Sequence, residues 1–271
     1  MNRVFRKILI LCFALGISGC GSPANEKPNP GQAQQFLKLR GYNFDEKSFL
    51  RSAAANDIIA VNAFFAAGIN PNAKDEESGA TALVSAATHG DVETVRVLLK
   101  GGVGVNERDK AGFTAILRAL QSKQDEVAEI LLAQPNLDLN AQGSTGITVL
   151  MSYVSRDRED IVKSLLARKA DVNLQDADGD TALHIAAPRG NAGMFEMLLA
   201  AGANPNLKNK VGGTPLMWAG VYGHEEVARL LLQHGADPGL KDEDGMTAAA
   251  WATKNNRTEV AQILLEAQKK H

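Results

Sequence analysis

The segment DGDTALHIAAPRGN, residues 178–191, carries the pattern from which the fold can be predicted. Its Thr181 follows Gly179 by two residues and precedes an alanine-rich apolar run, and a Leu–Leu pair stands 17 and 18 residues further on. The same pattern occurs six times, and a fixed period of about 33 residues indicates an architecture of stacked supersecondary units. The six copies align on Thr81, Thr114, Thr148, Thr181, Thr214 and Thr247, at spacings of 33, 34, 33, 33 and 33 residues.

Each copy contains the signals of one turn and two helices. Glycine adopts positive φ without steric cost, so Gly179 and its counterparts predict a tight turn. The threonine predicts the N-cap of a short first helix, and Pro215 follows Thr214 at the first helical position. The Leu–Leu pair predicts an amphipathic second helix that carries both leucines into the core. Since one such helix pair cannot bury its apolar face alone, the copies are expected to stack.

The repeats resemble ankyrin repeats, because residues 178–191 lie close to that family's pattern of acid, glycine, threonine, leucine, histidine and paired alanines. The resemblance extends from about Phe44 to His271. A degenerate seventh copy, residues 49–72, lacks the turn glycine and the threonine and resembles a capping repeat. The resemblance implies an all-α solenoid of paired helices with short β-hairpin or turn tips and about seven repeats, in a domain spanning residues 35–271.

The N-terminal region has the layout of a secretory signal peptide in residues 1–19. Basic residues precede a ten-residue apolar run, and crossing a bilayer as a helix takes about 20 residues, so a permanent transmembrane helix is not expected. The run ends in ISGC, residues 17–20, which resembles a bacterial lipobox and implies that Cys20 is acylated and becomes the first residue. The alternative is a buried cysteine in an uncleaved signal anchor. Residues 20–34, rich in Pro, Gly, Asn and Gln, predict a lipidated N-terminus and a flexible tether.

The charge balance argues against nucleic acid as a partner. Removal of residues 1–19 would take away three basic residues and no acid, which changes the net charge from −2 to −5. The phosphates of nucleic acids demand a basic surface, so no nucleic acid is expected as a partner. Membrane attachment is assigned to the lipid and not to a polybasic patch. Gly21, not Asp, follows Cys20, and by resemblance to Gram-negative lipoproteins this implies the outer membrane, facing the periplasm.

The acidic segments and the histidines of the chain fit structural roles better than catalytic or metal-binding ones. The acidic segment DADGD, residues 176–180, has glycine at position four of a calcium loop and Ala187 at position twelve, so a turn tip explains it better. The five histidines show no H-E-x-x-H spacing. The resemblance assigns His184 to the hydrogen-bonding position of the repeat, a structural role. We therefore predict a protein without catalytic activity, cofactor or metal.

The resemblance implies binding through the concave face of the first helices and through the turn tips. Eight residues after successive threonines, that face carries Arg156, Arg189 and Tyr222, residue types that dominate interface energetics. Exposed apolar residues at the tips are better explained by binding than by folding, and Phe113 is expected to be one of them. The predicted partner-binding residues are His89, Phe113, Ile147, Arg156, Arg189, Tyr222 and Met246.

The function predicted from these features is a monomeric, lipid-anchored scaffold that binds a protein partner in the bacterial envelope. Two narrower roles stay open: an immunity or inhibitor protein that neutralises a toxin acting in the periplasm, and an accessory protein for a periplasmic stress-defence enzyme. An enzyme with an unrecognised site is a third alternative.

Departures from the repeat pattern concentrate in the middle of the chain. Nine residues after the threonine, Lys123 and Asp157 stand where Gly90, Gly190 and Gly223 stand in other copies. Glycine is the residue that best tolerates positive φ at the end of a helix. Residues 114–170 are therefore predicted to be the least stable part of the stack.

Overall fold

The computed structural model describes residues 29–270, so Cys20, the signal peptide and residues 20–28 of the predicted tether lie outside the described residues. Fifteen α-helices and no strand occupy the described part, where one isolated antiparallel bridge joins Lys74 and Thr81. The predicted all-α fold is confirmed, with turns at the tips. The helices are α1 (Pro30–Leu39), α2 (Glu46–Ala54), α3 (Ile58–Ala66), α4 (Ala82–His89), α5 (Val92–Lys100), α6 (Ala115–Gln121), α7 (Asp125–Leu132), α8 (Val149–Ser155), α9 (Glu159–Ala167), α10 (Ala182–Ala186), α11 (Ala192–Ala200), α12 (Pro215–Tyr222), α13 (Glu225–Gln233), α14 (Ala248–Lys254) and α15 (Thr258–Gln268).

The chain divides into two compact units, one ending at Asp138 and the other beginning at Leu139. The first unit contains α1 to α7, and the second contains α8 to α15. Within each unit, the first helix of a copy contacts its own second helix and the first helix of the next copy. The expectation that the copies stack is therefore confirmed inside each unit.

The six repeated threonines begin the first helices, as their positions predict. Each is the N-cap of its helix in an extended conformation, and the Thr148 hydroxyl, for example, accepts the Met151 N–H at 3.1 Å. Thr114 is an exception, because within residues 29–270 its buried hydroxyl has no hydrogen-bond partner. A threonine cap of this kind stabilises a helix by about 1 kcal/mol when the bond is made.

At Gly179 and Gly212, the glycine two residues before the threonine is required for two separate reasons. Gly179 and Gly212 have φ of +80° and +75°, in the left-handed region. A Cβ at either position would also lie 2.9 Å from a backbone nitrogen of the following tip. That close approach accompanies a backbone hydrogen bond between successive tips, such as the 2.9 Å bond from Lys210 N–H to the Asp178 carbonyl.

Only the first leucine of each pair is uniformly buried. Neighbouring residues on a helix point about 100° apart, so the second leucine lies at the edge of the face that buries the first. The second leucine ranges from buried at Leu199 to 47% exposed at Leu265. The expectation that both leucines point inward was wrong for the second position. The first leucines, each 0% exposed, are Leu98, Leu131, Leu165, Leu198, Leu231 and Leu264.

A row of asparagine side chains connects successive copies within each unit. The Asn173 side-chain oxygen accepts the Asn204 N–H at 2.7 Å, and its amide donates to the Gly202 carbonyl at 3.0 Å. Such bonds satisfy backbone groups that would otherwise be left unpaired at the turns. The other oxygen contacts of this kind are Asn72 with Gly104, Asn106 with Asp138, Asn140 with Asp171 and Asn206 with Asp237.

The folded region already includes a helix at residue 30, five residues before the predicted domain start at Gln35. Asn29 caps α1 by accepting the Gly31 N–H at 2.9 Å, and Pro30 fixes the backbone at the first helical position. The inward face of α1, which includes Phe36 and Leu37, packs against α3. Proline and glycine in this segment therefore begin a helix, whereas composition alone favoured a tether.

Candidate functional site

The positions eight residues after the threonines lie at the ends of the first helices. In the unit that begins at Leu139, Arg156 directly follows α8 and Tyr222 is the last residue of α12. Arg189 lies beyond the shorter helix α10, in the turn before α11, and its side chain is exposed. His89, in the other unit, is exposed at the end of α4 with Nδ1 2.8 Å from the Ser85 carbonyl oxygen.

Tyr222 belongs to a stack of three aromatic rings that the sequence analysis did not anticipate. Its ring centroid lies 6.2 Å from that of Trp218 and 6.0 Å from that of His224, with interplanar angles of 25° and 23°. Trp218 and Tyr222 are four residues apart on α12, a spacing that places two side chains on one helix face. Tyr222 is nevertheless 38% exposed, so the stack presents an aromatic surface to solvent.

The stack touches the turn that carries Arg189. His224 Nε2 lies 3.4 Å from the Pro188 carbonyl oxygen, and a Cβ added at Gly190 would collide with the His224 ring. Glycine at 190 therefore allows the ring to pack against the turn, directly beside Arg189. The exposed Arg189 therefore belongs to a turn that contacts the stack, and arginine, tyrosine and tryptophan are enriched among the residues that dominate binding energy.

Trp251, four residues after Thr247, has a structural role. Its indole N–H donates to Asp242 at 2.6 Å, and Lys254 Nζ lies 4.5 Å from the ring centroid. Asp242 also accepts the N–H groups of Asp244 and Met246, so the indole closes the turn tip. Trp218, at the equivalent position of the preceding copy, is half-buried and stacks on Tyr222 instead.

Phe113 is buried, and the expectation that it projects from an exposed tip was wrong. Its side chain is only 5% exposed, because the Arg118 guanidinium covers the ring at 4.3 Å from its centroid. Arg118 is in turn fixed by Asp109, which accepts from its Nε at 2.7 Å. The Phe113 ring therefore belongs to the core of its own copy.

The other two apolar tip residues are partly accessible. Ile147 occupies the same register as Phe113 but is 37% exposed, since the position equivalent to Arg118 holds the short side chain of Ser152. Met246 is half-buried. Val211, at the tip before Thr214, is 57% exposed. Apolar surface therefore lies at tips of the same unit that carries the aromatic stack.

Three regions of the chain, residues 50–143, 135–209 and 192–271, match the family model for Ankyrin repeats. The chain belongs to the ankyrin-repeat family. A similar solved structure is the crystal structure of an ankyrin repeat domain from Acinetobacter baumannii AYE. It is 29% identical with a TM-score of 0.60, and the match covers 68% of this chain and 96% of that one. No curated protein matched the chain.

Ankyrin repeats are generally protein–protein interaction modules, and the fold is typically a non-enzymatic scaffold. Among residues 29–270, no group of three His, Cys, Asp or Glu side chains could hold a metal ion. Asp176, in the segment examined as a calcium loop, instead accepts the N–H groups of Asp178 and Asp180, both at 2.9 Å. In the same range, no helix is both long and apolar enough to cross a bilayer.

His184 occupies the hydrogen-bonding position of the ankyrin motif and is buried. Its Nδ1 accepts the Thr181 N–H at 3.1 Å, which assigns the proton to Nε2, and Nε2 donates to the Gly213 carbonyl at 3.1 Å. Burial lowers the pKa of His184 below its ordinary value of 6.5, opposed by the bond to Gly213 and by the charges of Asp180 and Asp176. The side chain thus joins two successive copies as a neutral group.

Proposed function

We propose that this ankyrin-repeat protein is a non-enzymatic, lipid-anchored scaffold that binds a protein partner in the bacterial envelope. The partner contacts the Arg189 side chain and the stack formed by Trp218, Tyr222 and His224. The binding half of the proposal rests on that stack, because a stack of three rings with Tyr222 38% exposed is not needed to complete any copy's core. Arg156, Ile147 and Met246 extend the binding surface within the same unit, and His89 is its counterpart in the other.

The residue types on this surface suit a protein partner better than a nucleic acid or a small molecule. Tyrosine, tryptophan and arginine supply large contact areas and directional hydrogen bonds when water is excluded around them. Arg189 is exposed and, within residues 29–270, makes no side-chain hydrogen bond or ion pair of its own. A carboxylate of the partner would pair with Arg189, and a neighbouring apolar or aromatic residue of the partner would pack on the aromatic stack.

The anchoring half of the proposal rests on the lipobox-like ISGC and on Gly21. Acylation of Cys20 would place the repeats on the periplasmic face of the outer membrane. Replacing Cys20 with Ser tests this directly, because a lipobox substrate without its cysteine stays an unprocessed, unacylated precursor. Normal processing of that variant together with metabolic palmitate labelling would overturn the assignment.

The binding half is tested by crosslinking in cells, with a photoreactive benzoyl-phenylalanine in place of the exposed Val211. The variant Arg156→Ala/Arg189→Ala/Tyr222→Ala is expected to abolish the crosslinked partner while the thermal unfolding midpoint stays nearly unchanged. A matched control is Lys163→Ala/Arg229→Ala/Leu265→Ala, which removes two cations and one apolar side chain from exposed positions on the second helices of the same unit. Undiminished crosslinking by the first triple variant would rule this surface out.

A further inference from the structure

Two of the six large apolar side chains that are exposed within residues 29–270 lie in one short segment near the N-terminus. Leu39, at the end of α1, is 58% exposed, and Phe44, in the loop before α2, is 40% exposed. Isolated exposed apolar residues are ordinary on protein surfaces, but these two are five positions apart. We propose that this N-terminal face, defined as Leu39 and Phe44 with Lys38 and Lys47, lies against an anionic lipid surface.

The local packing orients this face outward. Tyr42 and Phe44 both pack on Phe64, at centroid distances of 6.0 and 6.3 Å, so the loop is fixed over the end of the helix pair. Leu37 is fully buried, whereas Leu39, two positions further along α1, is on the outer side of that helix. The two exposed side chains are therefore presented by a rigid element.

The charges beside this face favour negatively charged headgroups. Lys38 and Lys47 are exposed and make no ion pair within the described part of the chain. Of the nearby acids, Asp57 pairs with Arg40 at 2.8 Å, whereas Asp45 and Glu46 keep their charge and accept from the Ser48 N–H at 2.7 Å and from the Asn70 amide at 3.1 Å. The four cations of the segment, Lys38, Arg40, Lys47 and Arg51, outnumber these three acids. The aliphatic part of each lysine side chain can lie at the boundary between headgroups and acyl chains while its ammonium group contacts lipid phosphates.

The length of chain between the proposed anchor and this face identifies the occupant as a membrane. This step rests on the anchoring half of the proposed function. Nine residue steps separate Cys20 from Asn29, so the start of α1 is at most about 31 Å from an acylated Cys20. The ten-residue helix α1 adds about 15 Å to Leu39. A tether of this length gives a high effective concentration at the bilayer, so weak contacts suffice.

The test uses the acylated full-length protein reconstituted in vesicles of phosphatidylethanolamine and phosphatidylglycerol. Single variants Leu39→Cys, Phe44→Cys and, as control, Leu265→Cys are labelled with the fluorophore NBD, and doxyl-labelled lipids serve as quenchers. Leu265 is a matched control because its side chain is 47% exposed, far along the sequence from the anchor. Labels at 39 and 44 are expected to be quenched several-fold more than the label at 265. Lys38→Glu/Lys47→Glu is expected to reduce that quenching several-fold.

The outcomes separate this face from the anchor on which it depends. Protein that floats with the vesicles but shows equally weak quenching at all three labels overturns the lipid-facing role and leaves the anchor intact. NBD emission that shifts to shorter wavelength without doxyl quenching means that protein covers the face, either residues 20–28 or a second copy, and also overturns the proposal. Protein that fails to float contradicts the anchor itself.

Discussion

The copy that begins at Thr148 and the copy that begins at Thr214 adopt the same backbone with different residues. At the end of the first helix, Asp157 has φ of +59° where Gly223 has +81°. At the end of the second, Lys169 has +62° where Gly235 has +84°. A residue with a Cβ is disfavoured in this left-handed region by about 1 kcal/mol or more, whereas glycine is not. Stacking therefore imposes the backbone, and the sequence determines how much strain each copy stores.

The same comparison separates a strained copy from one that carries the candidate binding surface. The Thr214 copy presents Trp218, Tyr222 and His224 on a backbone whose left-handed positions are glycines. The Thr148 copy contributes Arg156, which directly precedes the left-handed Asp157. An interface that is already ordered loses less entropy on binding, so the Thr214 copy is suited to hold the residues with the largest share of the binding energy.

The turn glycine before the threonine is where the two copies agree, and its replacement has the largest expected effect. Gly212→Ala is expected to reduce the free energy of unfolding by about 3 kcal/mol, through left-handed strain and a clash with the following tip. Gly245→Ala is the control, because Gly245 has the same φ of +75° but a Cβ there would meet nothing within 4 Å. Gly245→Ala should lower the free energy of unfolding by only about 1 kcal/mol, as measured by urea unfolding followed by tryptophan fluorescence. Equal losses would contradict the clash.

Exchanging the left-handed residues at the end of the second helix should transfer the backbone strain from the Thr148 copy to the Thr214 copy. Gly235→Lys copies Lys169 into the Thr214 copy, where a Cβ meets nothing within 4 Å, so strain alone should lower the free energy of unfolding by about 1 kcal/mol. Lys169→Gly removes that strain and should raise it by somewhat less, because glycine also makes the unfolded chain more flexible. The same urea measurement applies, and changes of the same sign in both variants would contradict the account.

His184, in the copy between these two, predicts a smaller, pH-dependent effect. Its pKa is lowered in the folded state, so the unfolded chain binds the proton more readily and stability falls as the pH drops below 6.5. Met151 and Met217 occupy the equivalent position in the neighbouring copies, which makes His184→Met the natural control. Melting temperatures measured between pH 7.5 and 5 should fall less in that variant. An identical pH profile would show that His184 does not contribute.

The turns, helix caps and core leucines of each copy could be predicted from the sequence because they depend on local chemistry. Threonine caps, left-handed glycines and the first leucine of each pair need only neighbours within one copy or the next. The exposure of Phe113 could not be predicted, since it depends on whether residue 118 is an arginine that folds back over the ring. The His224 ring likewise joins Trp218 and Tyr222 only because Gly190, in the preceding copy, leaves space for it.

Stacked copies share one backbone while their residues set local stability, and amide hydrogen exchange on the intact protein measures that local stability copy by copy. Local opening exposes amides at a free energy that reflects the stability of each cooperative segment. We predict that α8 and α9 exchange faster than α12 and α13, and that Lys169→Gly slows exchange in α8 and α9. Slower exchange in the Thr148 copy than in the Thr214 copy would contradict the claim.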